Sequence, residues 1–438
     1  MMIERCEYQS RRQRLAEYLQ DDSLCLIPAA REVTRSRDTH YPFRQDSDFY
    51  YLTGFHEPDA VLLLLKRQGK TTSVLFCLAK DPAAEIWHGR RTGPAKAKEQ
   101  VGVDHSFPLQ QLPEQLPEYL AGCRQLYFAQ GSYEHIDALV FACLEQQRQA
   151  GKKGQRPPGT LIDIREHLHE MRLIKSSAEV SLMRRAADIS TDAHKRAMCF
   201  ARPGRYEYQL EAELHHEFAL QGARHPAYGT IVGSGDNGCI LHYTENQSPL
   251  KDGDLILIDA GAELMGYAAD ITRTFPVNGR FSEAQAQLYQ LVLDAQLAAF
   301  EEIKPGSTLV RATEAAVVVI TRGLLDLGIL SGSLEGNLAE KTYRQYFMHG
   351  LGHWLGLDVH DVGDYKVEGE DRPLEPGMVL TVEPGIYIPA DADVDPKWRA
   401  TGIRIEDNLL VTVDGHENLT AAAPKEIQAI EALMAGSR

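Results

Sequence analysis

The stretch "DGDLILIDAG" (252–261) predicts an apolar strand that ends in a carboxylate, and "EPGMVLTVEPG" (375–385) repeats this arrangement later in the chain. Asp259 lies six residues after Gly253, and Glu383 lies six residues after Gly377. One such match would be unremarkable, since alternating strands occur in many folds. The elements on either side repeat as well, so the two stretches indicate an internally duplicated domain.

Each half of this region predicts two helices, joined by a Pro-Gly pair, and then strands. The predicted elements are helices 177–200 and 205–221 with strands to 277, and helices 283–303 and 308–327 with strands to 413. Ser176 and Ser282 precede the first helix of each half, each followed three residues later by Glu179 or Gln285, which is typical of a capping box. We therefore predict an α+β domain with an internal pseudo-twofold repeat.

The first third of the chain has a different pattern, in which short apolar runs alternate with helical stretches. The runs predict strands over 23–27, 60–66, 73–79 and 125–129, and a helix over 135–149. The polar segment 151–159 contains Pro and Gly and has the composition of a linker. We place the domain boundary near residue 172, with an α/β N-terminal domain over 1–172 and a second domain over 173–438.

Composition limits the classes of function. The 438 residues are 43% hydrophobic and 25% charged, as in globular proteins of two or three domains. A net charge of −16 argues against nucleic acid and anionic membranes as partners. Seven irregularly spaced cysteines without a CxxC favour reduced thiols. No apolar run is long enough to span a bilayer, and the N-terminus does not resemble a signal peptide. We expect a cytoplasmic protein.

Four carboxylates lie on predicted strands and require partners, because ionised groups are rarely buried alone. They are Asp259, Asp270 after ten intervening residues, Glu383 and Glu406. Each one alone is most often a capped turn or a surface ion pair, but together their four negative charges would balance two divalent cations. Oxygen ligands with one imidazole and no thiolate suit Mn²⁺, Mg²⁺ or Co²⁺, and also hold Zn²⁺.

The segment "FMHGLGHWLGLDVHDVG" (347–363) contains His349, His353 and His360. His349 and His353 are one helical turn apart, but three interspersed glycines disfavour a helix. No HExxH motif is present. Taken alone, the segment favours packed core histidines over a metal site.

Together these motifs resemble those of the bacterial Xaa-Pro aminopeptidase (aminopeptidase P) family, a group of pita-bread metallopeptidases related to methionine aminopeptidase, prolidase and creatinase. The resemblance covers nearly the whole chain. It rests on "THYPFRQDSDFYYLTGF" (39–55), "GTIVGSGDNGCILHYTEN" (229–246), "LIDAGAELMGYAADITRTFPV" (257–277), the histidine segment (347–363), "LEPGMVLTVEPGIY" (374–387) and "GIRIEDNLLVT" (402–412). It implies an α/β N-terminal domain followed by an α+β pita-bread catalytic domain.

The resemblance also implies two divalent metal ions per chain, with Mn²⁺ expected first and Zn²⁺, Co²⁺ or Mg²⁺ as alternatives. Asp270 and Glu406 would bridge the ions, His353 and Glu383 would complete one, and Asp259 the other. The glycines around His353 would let the loop pass close to the metals.

The implied reaction is attack of a metal-bridging hydroxide on the Xaa-Pro bond of a peptide. His242 and His360 would line the substrate cleft, and either would stabilise the oxyanion. Glu383, or as a second option a histidine, would carry a proton to the proline nitrogen. Asp259 would also hold the free α-amine of the substrate.

Two further residues have roles that the sequence leaves less defined. Arg404 lies two residues before Glu406 on one strand face, and we predict that it orients that carboxylate. His349 is expected either to support the structure or to act in catalysis.

Other functions stay open at this point. They are a prolidase restricted to Xaa-Pro dipeptides, a non-catalytic binding module on the pita-bread fold and, more distantly, a dimetal phosphoesterase. We also expect a homo-oligomer, either a dimer or a tetramer. Trp87, in "AEIWHGRRTGP" (84–94), would either close over the cleft or pack in a turn.

Overall fold

The computed structural model describes residues 3–153 and 156–436, so the predicted linker 151–159 falls partly outside the described residues. The Cα positions divide the chain into two compact units, Met1–Arg172 and Leu173–Arg438. Each unit has its own buried apolar cluster.

The first unit contains the strands β1 (Ser23–Pro28), β2 (Thr34–Ser36), β3 (Thr39–His40), β4 (Val61–Arg67), β5 (Lys70–Cys77), β6 (His105–Pro108), β7 (Gln125–Tyr127) and β8 (Thr160–Ile162). Six of them form one sheet in the order β6-β5-β4-β1-β7-β8, and β2 pairs with β3 separately. The helices of the first unit, the last of which ends one residue beyond it, are α1 (Arg5–Tyr18), α2 (Ser47–Thr53), α3 (Pro82–His88), α4 (Pro94–Val101), α5 (Leu112–Leu120), α6 (Glu134–Gln149) and α7 (Arg165–Leu173). The four strands and the helix predicted here are present, with ends shifted by a few residues.

In the second unit, a group of helices followed by a group of strands occurs twice along the chain, as the sequence predicts. Its helices are α8 (Ser177–Phe200), α9 (Glu207–Leu220), α10 (Glu283–Phe300), α11 (Leu309–Asp326), α12 (Leu334–Glu340) and α13 (Ile427–Ala435). Its strands are β9 (His225–Pro226), β10 (Ile231–Ser234), β11 (Leu255–Asp259), β12 (Ala262–Leu264), β13 (Tyr267–Ala268), β14 (Thr272–Pro276), β15 (Lys366–Val367), β16 (Glu370–Asp371), β17 (Val379–Val382), β18 (Gly385–Ile388), β19 (Thr401–Arg404), β20 (Asp407–Val411) and β21 (His416–Asn418).

Both predicted capping boxes are present at the first helix of each half. The Ser176 hydroxyl accepts from the Glu179 backbone N–H while the Glu179 carboxylate accepts from the Ser176 N–H, and Ser282 and Gln285 do the same. These reciprocal bonds satisfy donors that a helix N-terminus otherwise leaves unpaired. The two halves therefore begin with the same local device.

Strand pairing brings the ends of the two half-sheets together. In the first half, β11 pairs with β10 and β14, and Asp259 lies opposite Thr272. In the second half, β17 pairs with β20 and β18 pairs with β19. An isolated bridge joins Thr272 to Glu406, with the Glu406 N–H donating to the Thr272 carbonyl over 3.1 Å. This bridge connects the carboxylate-bearing strands of the two halves.

The histidine segment 347–363 is irregular rather than helical, so the interspersed glycines do not interrupt a helix. It is fixed by β17 instead. The Thr381 N–H donates to the His353 carbonyl over 2.9 Å, and a bridge joins Trp354 to Leu380. Among the described residues, no helix combines the length and the apolar composition needed to cross a bilayer.

Candidate metal centre and active site

A cavity of about 430 Å³ in the second unit collects the residues that the sequence singled out. Its lining includes all nine of the predicted site residues: Asp259, Asp270, His242, His349, His353, His360, Glu383, Arg404 and Glu406. The four carboxylates reach it because each lies within two residues of the end of a strand, where the backbone leaves the sheet. The structure thus brings every predicted site residue to one place.

Three ligand-type side chains lie closest together. One atom each from Asp270, His353 and Glu406 can be chosen so that all three lie within 4.8 Å of one another. His353 Nε2 lies 3.4 Å from Asp270 Oδ2 and 3.6 Å from Glu383 Oε1. This arrangement of carboxylates around one imidazole is suited to a divalent cation.

The ring of His353 is oriented for ligation. Its Nδ1 lies 2.9 Å from the carbonyl oxygen of Trp354, and since a carbonyl only accepts, Nδ1 carries the hydrogen. In its neutral form the ring therefore directs the Nε2 lone pair towards the carboxylates, as is usual for a metal-bound histidine whose other nitrogen donates to a carbonyl. In the metal-free protein burial lowers the pKa of His353, but the bond to Asp270 and the nearby carboxylates outweigh it and raise the pKa to about 9.

The carboxylates are buried close to one another, and this raises their pKa values. Burial raises the pKa of Glu383 to about 8, with Asp270 and Asp259 adding to the rise against the opposing effects of His353 and Arg404. Burial and neighbouring carboxylates also raise the pKa of Asp270 and of Glu406, the latter well above its usual range. Buried like charges of this kind call for a cation, and the donor set fits divalent metal ions.

Arg404 corrects one of the sequence-based predictions. Its Nη2 donates to Asp259 Oδ2 over 2.6 Å, and its Nη1 donates to the Tyr387 hydroxyl over 2.9 Å, so its ion pair is with Asp259 rather than Glu406. The link to Glu406 is indirect. Arg404 Nε lies 3.1 Å from Thr272 Oγ1, which in turn donates to Glu406 Oε2 over 2.6 Å.

Tyr228 is a site residue that the sequence analysis missed. Its hydroxyl lies 2.6 Å from Asp259 Oδ1 and 2.5 Å from Asp270 Oδ1, so it sits between two carboxylates that otherwise repel each other. Burial and these two carboxylates raise its pKa well above the usual range. Tyr228 immediately precedes the motif 229–246, and extending that motif by one residue would have included it.

His349 packs into the wall of the cavity. Its Nδ1 donates to the Gly350 carbonyl over 2.7 Å, so its Nε2 accepts from the Tyr387 hydroxyl, also over 2.7 Å. Burial and the nearby charge of Arg404 lower its pKa to about 4, which keeps the ring neutral. These contacts place His349 against Tyr387, whose hydroxyl also accepts a hydrogen bond from Arg404.

The two remaining histidines face the same space. The ring of His360 lies 4.4 Å from that of His353, centroid to centroid, and is nearly perpendicular to it. Burial and His353 lower the pKa of His360. His242 is exposed towards the cavity from the loop that follows β10.

Two glycines of the histidine segment pack against protein atoms. A Cβ on Gly352 would lie 2.0 Å from the Thr381 carbonyl oxygen, and one on Gly356 would lie 2.1 Å from Asp361 Oδ2. A Cβ on Gly350 would meet nothing within 4 Å. Gly352 and Gly356 are thus required by packing, and the role of the glycines in bringing the loop close to the metals stays a prediction.

Comparison with known proteins agrees with this geometry. The sequence profile of metallopeptidase family M24 matches residues 181–413, and that of the aminopeptidase P N-terminal domain matches residues 8–127. The Xaa-Pro aminopeptidase of Escherichia coli (strain K12) is 52% identical, covering 100% of this chain and 99% of that protein. The Xaa-Pro aminopeptidase of Haemophilus influenzae is 47% identical, covering 98% and 97%.

Solved structures give the same result. Zinc-substituted E. coli aminopeptidase P in complex with product superposes with a TM-score of 0.99 at 51% identity, covering 100% of both chains. Proline aminopeptidase P II from Yersinia pestis superposes with a TM-score of 0.97 at 53% identity, covering 99% of this chain and 100% of that one. The predicted fold class, an N-terminal α/β domain before a pita-bread catalytic domain, is confirmed. The chain therefore belongs to metallopeptidase family M24, and within it to the Xaa-Pro aminopeptidases.

Proposed function

We propose that the chain is a dimetal aminopeptidase that releases the N-terminal residue from peptides with proline in second position. The observation that carries the proposal is the convergence of four carboxylates and the oriented imidazole of His353 in one cavity. The names of the relatives supply the substrate class, since both bacterial relatives described above are Xaa-Pro aminopeptidases.

The proposed ligands are Asp259, Asp270, His353, Glu383 and Glu406. Asp270 and Glu406 are proposed as the bridging pair, because both lie in the close triad with His353. Glu383 would join His353 on one ion, and Asp259 would serve the other. We propose Mn²⁺ as the resident ion, since carboxylate oxygens dominate the site and thiolates do not contribute.

When bound, the two cations supply Lewis acidity to the peptide carbonyl and to a water molecule. The side chains supply the remaining chemistry. His242 and His360 both line the cavity, and we propose that one or the other donates to the carbonyl oxygen as negative charge develops on it. The nitrogen of proline carries no hydrogen and must gain a proton to leave. We assign that transfer to Glu383.

We propose that Asp259 also holds the free α-amine of the substrate. One of its oxygens accepts from Arg404 and the other from Tyr228. Each carboxylate oxygen has two acceptor sites, so these bonds leave one site on each oxygen for an ion or an amine. Acetylation removes the charge and the lone pair of the amine, so an acetylated peptide should be a very poor substrate.

The choice between aminopeptidase and prolidase rests on charge. A prolidase must bind the carboxylate of proline itself. In the described lining of the cavity, Arg404 is the one side chain with a permanent positive charge, and this charge is already paired with Asp259. This supports a substrate in which the chain continues beyond proline.

Further parts of the proposal concern the whole protein. We propose that residues 1–172 form the N-terminal domain and 173–438 the catalytic domain, in line with the two compact units. Ile86 and Trp87 are 80% and 83% exposed, which supports a homo-oligomer that covers them. Seven unpaired cysteines support a cytoplasmic location.

A peptide panel with metal-reconstituted protein tests the proposal. Xaa-Pro-Yaa tripeptides should release Xaa faster than Xaa-Pro dipeptides, while acetylated Xaa-Pro-Yaa and Xaa-Ala-Yaa should be poor substrates. Cleavage confined to dipeptides would reassign the chain to prolidase. No cleavage at full metal occupancy would favour a binding module.

A further inference from the structure

Glu207 carries a buried carboxylate outside the metal centre. It is the first residue of α9 and is completely buried. Among the described residues no lysine, arginine or histidine pairs with it. An ionised carboxylate in such a position is costly unless hydrogen bonds replace its water.

Five donors from one segment fill both of its oxygens. Oε1 accepts from the Ser234 N–H (2.8 Å), the Ser234 hydroxyl (2.8 Å) and Asn237 Nδ2 (3.0 Å). Oε2 accepts from the Tyr243 hydroxyl (2.9 Å) and the Ser248 N–H (2.8 Å). The segment 234–248 is thus wrapped around one carboxylate, which stands at a helix N-terminus where negative charge is favoured.

This segment carries part of the cavity wall. Leu241, His242 and Thr244 line the cavity, between the anchor points at Asn237 and Ser248. The exposed imidazole of His242 makes no hydrogen bond to another described residue. Its place in the cavity is therefore set by its backbone, and the anchor nearest to it is the hydroxyl of the next residue, Tyr243.

The carboxylate cannot be replaced by an amide without strain. Each oxygen faces one backbone N–H, Ser234 at Oε1 and Ser248 at Oε2, and a backbone N–H cannot reverse its role. A glutamine at position 207 would have to direct its NH₂ group at one of these donors in either orientation. The segment would then have to shift to relieve the contact.

We infer that Glu207 is a positioning residue for His242. Its five hydrogen bonds fix the segment that presents the imidazole to the carbonyl oxygen of the scissile bond. This inference rests on the proposed function, in which His242 contacts that oxygen. Among the described residues, the Glu207 carboxylate accepts no hydrogen bond from a proposed metal ligand, so its effect should be separate from metal binding.

The test is a double-mutant cycle in kcat/KM on one Xaa-Pro-Yaa tripeptide, with Glu207→Gln, His242→Ala and the double variant, all reconstituted with Mn²⁺. Glu207→Gln should lower kcat/KM about tenfold or more, as for a buried donor left unpaired. Its metal content should equal that of the wild type. In the His242→Ala background the same substitution should cause no further loss, since the residue it positions is gone.

Two further variants provide a second test and a control for the double-mutant cycle. Tyr243→Phe removes a single donor next to His242 and keeps the buried ring, so it should give a smaller loss that also disappears in the His242→Ala background, even if Glu207→Gln fails to fold. Glu213→Gln is the matched control on the same helix, because its carboxylate pairs with Arg196 and not with the segment. It should leave kcat/KM unchanged in both backgrounds.

Equal losses in both backgrounds would overturn the inference, because the carboxylate would then support the fold without acting through His242. Unchanged kcat/KM in Glu207→Gln would overturn it as well. Full activity of His242→Ala would refute both the proposed role of His242 and the inference. Absence of cleavage by the reconstituted wild type would refute the proposed function itself, so the two failures are distinguishable.

Discussion

His353 Nε2 and Asp270 Oδ2 lie 3.4 Å apart, although the two residues come from opposite halves of the duplicated domain. Asp259 and Asp270 belong to the first half, and His353, Glu383 and Glu406 to the second. The site is therefore assembled where the half-sheets meet. An ion bound there contacts both halves only in the folded state, and its binding should stabilise that state.

The first prediction separates the histidines of the segment 347–363. His353→Ala should lower metal content, since its Nε2 lies 3.4 Å from Asp270 Oδ2 and 3.6 Å from Glu383 Oε1. His349→Ala is the matched comparison, because its Nε2 is engaged by the Tyr387 hydroxyl. It should keep its metal and lose stability instead. Elemental analysis of both purified variants is the measurement, and metal loss in His349→Ala alone would reverse the assignment.

His360→Ala should retain its metal ions and turn over slowly. We expect kcat to fall about 100-fold, as when one donor to a developing oxyanion is removed. KM should change much less, since the interaction is made in the transition state. Steady-state kinetics with metal analysis of the same sample check this, and a fall in metal content that accounts for the lost rate would disprove it.

Lys175 and Asp361 form a buried ion pair directly beside His360. Their side chains are each 1% exposed, and Nζ lies 2.9 Å from Oδ2. Lys175→Met should destabilise the catalytic unit by about 3–5 kcal/mol, because Asp361 would stay buried without its lysine. Lys195→Met is the control, since the side chains of Lys195 and its partner Asp192 are 37% and 50% exposed. Their ion pair should contribute at most about 1 kcal/mol. Urea unfolding measures both, and equal losses would contradict the prediction.

His194 should make stability depend on pH. Burial lowers its pKa from 6.5 to about 4, while its Nε2 donates to the Ala260 carbonyl over 2.9 Å. Between these values the unfolded chain takes up a proton that the folded chain does not, so stability falls as pH drops from about 6.5 towards 4. The full loss is about 3 kcal/mol.

His194→Gln keeps a donor for Ala260 and removes the titration. The stability difference between the two proteins, measured by urea unfolding, should therefore shift in favour of the variant as pH falls through this window. Above pH 7 the difference should be constant. A difference that is independent of pH from 7 to 4 would refute the role of His194.

Local and periodic features of this protein were predictable from its sequence. The capping boxes at Ser176 and Ser282 depend on residues three positions apart. Asp259 and Glu383 stood out because they follow apolar runs, whereas the full ligand set was implied by the resemblance to a known family. Such signals are contained in a few consecutive residues.

Contacts between distant segments were not predictable in this way. Arg404 pairs with Asp259, 145 positions away, although Glu406 is nearer in sequence. Gly352 is fitted to the Thr381 carbonyl, a neighbour known only once the fold is formed. Tyr228 contacts two aspartates that lie 31 and 42 positions further along the chain, and its neighbours in sequence do not reveal these contacts. Each case depends on tertiary packing, which local patterns do not encode.

Metal content measured together with activity tests the central claim most directly. Gently purified protein should contain up to two divalent ions per chain. Chelation should remove them along with activity, and Mn²⁺ should restore both. Glu406→Ala should bind at least one ion fewer and lose at least about 100-fold in kcat, as for a major electrostatic stabiliser. A chelated, metal-free protein that keeps full activity on an Xaa-Pro-Yaa peptide would contradict the account.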